Sequence, residues 1–121
     1  MKRRERPPAF QFYPDDHLAD PNIEMMTLEE QGAFWRLCCH AWKQEKIGTL
    51  SNDDVVLAAL SHLGPDRWET CKKNILRAFD TSQDGIIIQK RLVRSYQEKQ
   101  EHRKRKSQSG KLGAESRWHS H

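Results

Sequence analysis

Apolar side chains recur with helical spacing over most of the middle of this chain. The first such stretch opens with Thr27-Leu28-Glu29-Glu30, the pattern of a capping box. In that motif the threonine hydroxyl accepts from the backbone N–H three residues on, and the glutamate reaches back. The stretch runs to about Lys43 with apolar residues on two sides. This pattern predicts the most buried helix of the fold.

Two further helices are predicted directly after it, joined at a Gly-Pro pair. The second helix starts at Ser51 with Asp54 in its first turn and ends at Gly64. The third opens at Pro65, because proline is favoured at the first position of a helix, where a backbone N–H would have no partner within the helix. Its apolar residues recur with helical spacing to about Phe79. The second helix has a predicted buried stripe of four residues: Val56, Ala59, Leu60 and Leu63. The third has a predicted apolar face of five: Trp68, Cys71, Ile75, Leu76 and Phe79.

Short extended segments flank this pair of helices. Lys46 to Leu50 indicates a turn and a short strand, Asp84-Gly85 is a turn signal, and Ile86 to Ile88 is a β-branched strand. The order strand, helix, helix, strand, turn, strand is typical of a helix-turn-helix with an attached hairpin. We therefore predict a mainly α fold with a small β-hairpin. It would be a winged helix-turn-helix with an extended N-terminal arm and a long basic C-terminal helix.

The polar face of the third helix is the candidate DNA-reading surface. It carries side chains able to contact base edges and phosphates in a major groove: Arg67, Thr70, Lys73, Asn74 and Arg77. Its place after a capped helix and a short turn favours this role. The alternative is the ordinary solvated face of an amphipathic helix. The wing tip holds Asp80 and Asp84 but no Lys or Arg, so we expect the wing to be mainly structural.

The two ends of the chain differ from this middle part. Residues 7–14 (PPAFQFYP) are too rich in proline for a helix and predict an extended arm against the core. A last helix is predicted from Gln89, and Gly110 and Gly113 are expected to break it. The expected organisation is an arm (1–14), a winged-helix domain (15–98) and a basic polar tail (99–121).

The tail contains a run of four consecutive basic residues: Arg103, Lys104, Arg105 and Lys106. From the sequence, this run is a solvated helix extension, a disordered tail or a phosphate-binding arm. Net charge does not decide between these interpretations. The 121 residues carry +4 overall, yet residues 7–89 hold thirteen acidic and seven basic side chains. A DNA-binding role must therefore rest on local patches.

Residues 15–30 supply a second hypothesis, because they include six acidic residues and no Lys or Arg. This composition indicates a solvated acidic face or a docking surface for a basic partner. That partner could be the chain's own C-terminal helix or the same helix of a neighbour. The alternative function is thus a non-catalytic protein-interaction module acting through this acidic face, and a homo-oligomer is compatible with it.

No sequence pattern indicates catalysis, a metal or a cofactor. Cys38-Cys39-His40 is contiguous rather than spaced for a tetrahedral site, and no Ser/His/Asp or Cys/His arrangement has a supporting motif. No segment is long and apolar enough to span a bilayer. Three cysteines without framework spacing indicate reduced thiols. We expect a cytoplasmic protein that is not an enzyme and has no cofactor, metal or membrane contact.

Four segments carry a family resemblance: PAFQFYPDDHLADPNIEMMTLEEQGAFWRLCCHAWK, GTLSNDD, DGIIIQKRL and KSQSGKLGAESRW, together extending over residues 8–118. They resemble the YdaU-like family of prophage and bacterial proteins, with one departure at His17, where the family usually has Trp. The resemblance implies a winged-helix fold and a DNA-associated role linked to replication initiation. It supplies no site residues. Under the alternative hypothesis, the module would assemble a replisome or a phage regulatory complex with a replication protein as partner.

Overall fold

The computed structural model describes the backbone of residues 7–119 and the side chains of residues 7–108. Over this range the fold is mainly helical, with one small antiparallel sheet and a long C-terminal helix. The elements in chain order are α1 (Pro14–Ala19), α2 (Pro21–Glu24), α3 (Leu28–Trp42), β1 (Thr49–Ser51), α4 (Asp54–Ser61), α5 (Gly64–Leu76), β2 (Asp80–Thr81), β3 (Ile86–Ile88) and α6 (Lys90–His119).

Helix α3 forms the centre of the core, as its two apolar sides predict. Its capping box is confirmed: the Thr27 hydroxyl accepts from the Glu30 N–H at 3.1 Å, and the Glu30 carboxylate accepts from the Thr27 N–H at 2.9 Å. Seven of its residues are buried, against three each in α4 and α5. Leu37 and Ala41 have no exposed surface at all.

The three strands form one sheet in the order β1-β3-β2. Ile87 sits in the middle, opposite Leu50 on one side and Thr81 on the other, and is 1% exposed. Gly85 adopts φ +71° in the turn between β2 and β3, a conformation that glycine reaches without a steric penalty. The predicted strands and the predicted order of elements from β1 to β3 are therefore confirmed.

The predicted start of α4 is wrong, and only half of its predicted buried stripe packs on the core. Ser51 lies in β1, and Asp53 caps the helix by accepting from two backbone N–H groups. The buried residues are Leu57, Ala58 and Ser61. Of the predicted stripe, Leu60 and Leu63 are half-buried and pack against the core, whereas Val56 and Ala59 are exposed. The reason is that residues 55–60 are apolar without interruption, so the sequence has no polar positions there to set the phase of the helix.

The predicted apolar face of α5 is confirmed, although the helix ends at Leu76 rather than near Phe79. Trp68, Cys71 and Ile75 are buried in the core, and Phe79 joins them just beyond the helix end. In this helix polar residues separate the apolar ones, which is why its phase was predictable.

Helix α6 packs on the body through its first turns and then continues outward. Leu92 and Ser95 are buried, and residues 101–108 are all exposed. The predicted break at Gly110 and Gly113 is wrong, because the helix runs to His119. A glycine costs a helix only about 1 kcal/mol relative to alanine, which does not end a helix flanked by strong helix formers.

The N-terminal arm lies against α3 and α6 in the part that the structure describes, residues 7–13. The Trp42 indole N–H donates to the Pro7 carbonyl at 3.0 Å, and the Gln11 N–H donates to the Ser95 hydroxyl at 3.0 Å. The Phe10 ring packs on Trp35 and Trp42. Residues 1–6 of the predicted arm lie outside the described residues. None of the described helices is both long enough and apolar enough to cross a membrane.

Candidate nucleic-acid interface

The first predicted reading residue, Arg67, is paired within the chain. Its guanidinium donates to both carboxylate oxygens of Glu29 in the first turn of α3, with Nε 3.2 Å from Oε2. This hydrogen bond is the main reason that the pKa of Glu29 lies below its usual value. Arg67 therefore links α5 to α3, and its guanidinium is already engaged within the chain.

Asn74 is also engaged. Its side-chain amide donates to both oxygens of the Glu30 carboxylate, at 3.2 and 3.1 Å, and Glu30 is only 4% exposed. The carbonyl oxygen of Asn74 accepts from the Arg77 guanidinium at 3.0 Å. An asparagine reads adenine by presenting both its donor and its acceptor, and here both are occupied.

The remaining predicted residues of α5 face outward. The Thr70 hydroxyl donates to the Asp66 carbonyl at 3.3 Å. Lys73 is exposed, and its amine has no hydrogen-bond or ion-pair partner within residues 7–108. Arg77 is exposed apart from its bond to Asn74. Lys73 and Arg77 are thus the two cations of this face that have no carboxylate partner among the described residues.

Acidic residues of α4 and α5 compensate the positive charge of Lys72, in the second half of α5. Lys72 contacts Asp54 at 3.2 Å and Glu69 at 3.0 Å. Asp54 also accepts from the Trp68 indole N–H at 2.9 Å. This bond and the nearby Lys72 hold the pKa of Asp54 below its usual value. Helix α5 therefore carries several cations, but much of its charge is neutralised locally.

The β2–β3 hairpin, residues 80–88, which the sequence predicted as a wing, carries its acidic residues on the outside. Asp80 pairs with Lys90 at 3.2 Å. The Asp84 N–H donates to the Ser82 hydroxyl at 3.0 Å within the turn. The Ser82 N–H in turn bonds the Ile86 carbonyl. These contacts close the hairpin and give it a structural part in the fold.

The basic run of α6, Arg103 to Lys106, is exposed and helical. Consecutive helical residues point about 100° apart, so the four cations of the run surround the helix. Arg103 and Lys106 share one side with Lys99 at i, i+4 and i+7. Lys99 and Arg103 also line an open groove against the N-terminal arm. The tail is the longest stretch of exposed positive charge in the described part of the chain.

The acidic segment, residues 15–30, is partly occupied by the chain's own basic residues. Asp20 binds the Arg91 guanidinium of α6 at 2.7 Å, and Glu29 and Glu30 bind α5. The segment also exposes three large apolar side chains and three acidic residues. The apolar ones are Leu18, Met25 and Leu28, at 67, 59 and 85%. The acidic ones, which form no ion pair with any described residue, are Asp15, Asp16 and Glu24.

Sequence reasoning missed a basic surface where α3 meets the end of α4. Arg36 donates through Nε to the Leu60 carbonyl at 3.3 Å, and its Nη2 lies 2.9 Å from Nε2 of His62. Burial lowers the pKa of His40, and Arg36, Lys43 and His62 lower it further. The i, i+4, i+7 spacing of Arg36, His40 and Lys43 was visible in the sequence, but the position of His62 was not.

Side chains that could hold a metal ion do not converge in the described residues, where no three His, Cys, Asp or Glu groups come together. Cys38 is buried and Cys39 is exposed, so the Cys-Cys-His triplet diverges. Burial raises the pKa of the Cys38 thiol well above its usual value.

The comparisons with known proteins give one match. The model of a family described as "Protein of unknown function (DUF1376)" matches residues 8–97, from the arm to the part of α6 that packs on the body. No curated protein and no solved structure matches the chain.

Proposed function

The chain belongs to this family of proteins of unknown function, and we propose that it is a DNA-binding protein with a winged helix-turn-helix architecture. The succession β1, α4, α5, β2, β3 supports this architecture, because two helices joined by a short turn precede a hairpin. The resemblance to YdaU-like proteins supports a prophage origin and a link to replication initiation.

The observation that carries the proposal is the exposed basic run of α6. Its four cations continue a helix whose first turns pack on the body through Leu92 and Ser95. Phosphate contacts of this kind supply most of the affinity of nonspecific DNA binding. We assign this part to Arg103, Lys104, Arg105 and Lys106.

Helix α5 has a secondary part in this proposal. Lys73 and Arg77 would contact phosphates, and Thr70 lies on the same outer face one turn before Lys73. Arg67 and Asn74 hold the helix in place through Glu29 and Glu30. This division of roles predicts binding with strong salt dependence and weak sequence preference.

The test is fluorescence anisotropy with duplex and single-stranded DNA over a salt series. Two double variants provide a matched pair, because they remove the same charge from opposite sides of one helix: R103Q/K106Q and K104Q/R105Q. The slope of log K against log salt should fall by about 0.9 for each phosphate that the variant no longer neutralises. We expect the larger reduction from R103Q/K106Q, whose side also carries Lys99.

Two further variants test α5, and one serves as control. Lys73→Ala and Arg77→Ala should each weaken binding, whereas Lys90→Gln, in a pair with Asp80, should not. If the α5 variants bind like wild type while the tail variants do not bind, α5 does not contact the DNA. Wild-type protein that binds neither form of DNA at low salt refutes the proposal.

A protein-interaction module acting through the acidic face is the second candidate. The exposed side chains of Leu18, Met25 and Leu28 favour it, because large apolar residues left exposed in an acidic segment are available to a partner. Light scattering over a concentration series tests self-association. A monomer at every concentration, together with no complex with basic replication proteins, would count against this candidate.

A further inference from the structure

An open groove lies between residues 7–13 of the N-terminal arm and residues 95–103 of α6, and we call it the arm–α6 groove. We propose that this groove binds single-stranded DNA, with one base stacked on the Tyr13 ring and the adjoining phosphates held by Lys99 and Arg103. The inference rests on the DNA binding proposed above, and it adds the form of DNA that this part of the tail recognises.

Both walls of the arm–α6 groove are held by contacts with the body. On the arm side, the Gln11 N–H donates to the Ser95 hydroxyl at 3.0 Å. The Tyr13 carbonyl accepts from the His17 N–H at 3.0 Å in the first turn of α1. On the helix side, Ser95 is buried against the body. The backbone at Tyr13 and just before it is therefore fixed, so binding a strand costs little ordering of the protein.

The Tyr13 ring is available for stacking. Tyr13 is 51% exposed, and its ring contacts no other aromatic ring among the residues that the structure describes. Its neighbours Phe10 and Phe12, by contrast, pack against Trp35. Aromatic side chains stack on bases of any sequence, because every base has a π face. We therefore assign base stacking to Tyr13 and a structural part to the two phenylalanines.

The groove carries more positive than negative charge. Lys99 and Arg103 both line it, and they lie four residues apart, about 6 Å along the axis of α6. Lys106 continues the same row beyond them. Glu98 is the single carboxylate among the described residues that line the groove, and it accepts from the Tyr13 hydroxyl at 3.5 Å. A cationic row beside an exposed ring is the arrangement by which single-strand-binding grooves follow a backbone and hold its bases.

The exposed ring favours a single strand over a duplex. Inside a duplex both faces of each base are covered by neighbouring bases, so only a base outside that stack can lie on a protein ring. The groove has a volume of about 610 Å³, within the range of about 300–1,000 Å³ that is typical of small-ligand sites. The arm–α6 groove therefore suits part of a single strand, such as a base and its sugar, rather than a double helix.

The test compares the two forms of DNA with full-length protein. The single-stranded probe is an oligothymidylate of about 12 nucleotides, a length within the range of single-strand-binding sites, and the second probe is a duplex of equal length. Tyr13→Phe, Tyr13→Leu and Tyr13→Ala separate the ring from the hydroxyl and from apolar bulk. Val55→Ala, which truncates an exposed apolar residue of α4, is the control. Anisotropy measures affinity, and circular dichroism confirms each fold.

We expect Tyr13→Ala and Tyr13→Leu to weaken oligothymidylate binding about fivefold to a hundredfold while duplex binding stays within about twofold of wild type. Tyr13→Phe keeps the ring and should retain binding. Lys99→Gln should reduce the slope of log K against log salt for the single strand by about 0.7. Glu98→Gln should tighten single-strand binding about twofold to fivefold. Glu101→Gln, which removes the same charge from an exposed residue outside the groove, should change it less.

Crosslinking tests the contact without any substitution that could disturb the arm. An oligothymidylate that contains iododeoxyuridine is irradiated in complex with wild-type protein, and mass spectrometry locates the crosslinked residue. A base stacked on the arm should give an adduct at Tyr13. Adducts confined to α6 would show that the strand does not enter the groove and would overturn the inference.

The other contrary results are distinguishable from failure of the proposed function. If Tyr13→Ala and Lys99→Gln bind the oligothymidylate like wild type while R103Q/K106Q does not, DNA binding stands and this site does not. If Tyr13→Ala weakens single-strand and duplex binding equally, Tyr13 has only a structural part. If wild type binds the duplex alone, the proposed function stands without this groove. If wild type binds neither form at low salt, both proposals fail.

Discussion

The substitution Glu30→Gln tests whether the buried contact between α3 and α5 holds the two helices together. One Glu30 oxygen accepts from the Thr27 N–H and from the Asn74 amide, and the other accepts from Asn74 alone. A glutamine keeps its carbonyl on Thr27, but it turns its own NH₂ toward the NH₂ of Asn74. Two donors then face each other in a site where the wild-type side chain is 4% exposed.

The expected cost follows from that mismatch. A buried polar group left without a partner costs roughly 1–3 kcal/mol. For a domain of this size each kcal/mol lowers Tm by roughly 4–8 °C. Asn74→Asp should also destabilise, because it places two carboxylates together. The double variant E30Q/N74D restores a donor facing an acceptor, and Arg77 can still donate to residue 74. We expect it to recover about 1 kcal/mol or more relative to the sum of the single changes.

Urea denaturation followed by tryptophan fluorescence and circular dichroism measures all four members of this cycle. Glu24→Gln serves as the control, since it removes the same charge from an exposed residue and should change the free energy of unfolding very little. The reasoning is refuted if Glu30→Gln is as stable as that control. It is also refuted if the effects of the two single variants simply add in the double variant.

Three further predictions concern a turn, the thiols and one buried indole. Gly48→Ala should cost more than about 1 kcal/mol, because Gly48 has φ +88° and a Cβ there would stand 2.7 Å from a methyl group of α6; urea denaturation measures the loss. Cys39 should react with a thiol reagent in the native protein, whereas Cys38, buried and with a raised pKa, should react only on unfolding. Trp68→Phe removes the main cause of the lowered pKa of Asp54. The hydrogen bond between Trp68 and Asp54 favours the ionised carboxylate. The difference in free energy of unfolding between wild type and the variant should therefore be largest near pH 6 and become smaller below about pH 4, where Asp54 is protonated.

Each of these predictions has a contrary outcome. Gly48→Ala with wild-type stability would mean that α6 shifts without cost. Equal native reaction rates for Cys38 and Cys39 would mean that the core around α3 opens readily. If the difference in free energy of unfolding between wild type and Trp68→Phe stays constant between pH 6 and pH 3, the indole does not influence the pKa of Asp54.

Local features of the fold were predictable because their causes lie within a few residues. The Thr27 to Glu30 box needs only four residues, and the apolar face of α5 needs only an alternation of polar and apolar positions. The phase of α4 was not predictable, because six consecutive apolar residues fit any rotation of the helix. The continuation of α6 past Gly110 was not predicted, because the presence of two glycines was given too much weight. Each costs a helix only about 1 kcal/mol relative to alanine.

The candidate site was less predictable, because its contacts join distant parts of the chain. Arg67 and Glu29 are 38 residues apart, and Asn74 and Glu30 are 44 apart. From the sequence, Arg67 and Asn74 are outward polar residues of an amphipathic helix. Only the packing of α5 on α3 shows that they contact glutamates of α3. His62 likewise joins Arg36 across 26 residues, through a left-handed turn that no residue pattern indicated.

The unbroken α6 also fixes the direction in which its distal residues point. A single residue inserted just after Gln100 would rotate everything beyond it by about 100° and move it outward by about 1.5 Å. An insertion of seven residues would move the same side chains by about 10 Å while nearly restoring their orientation. In an unbroken helix, a change in length is therefore always accompanied by a rotation. The distance between the basic run and the body can change only in steps of whole turns if the run is to keep facing the same way.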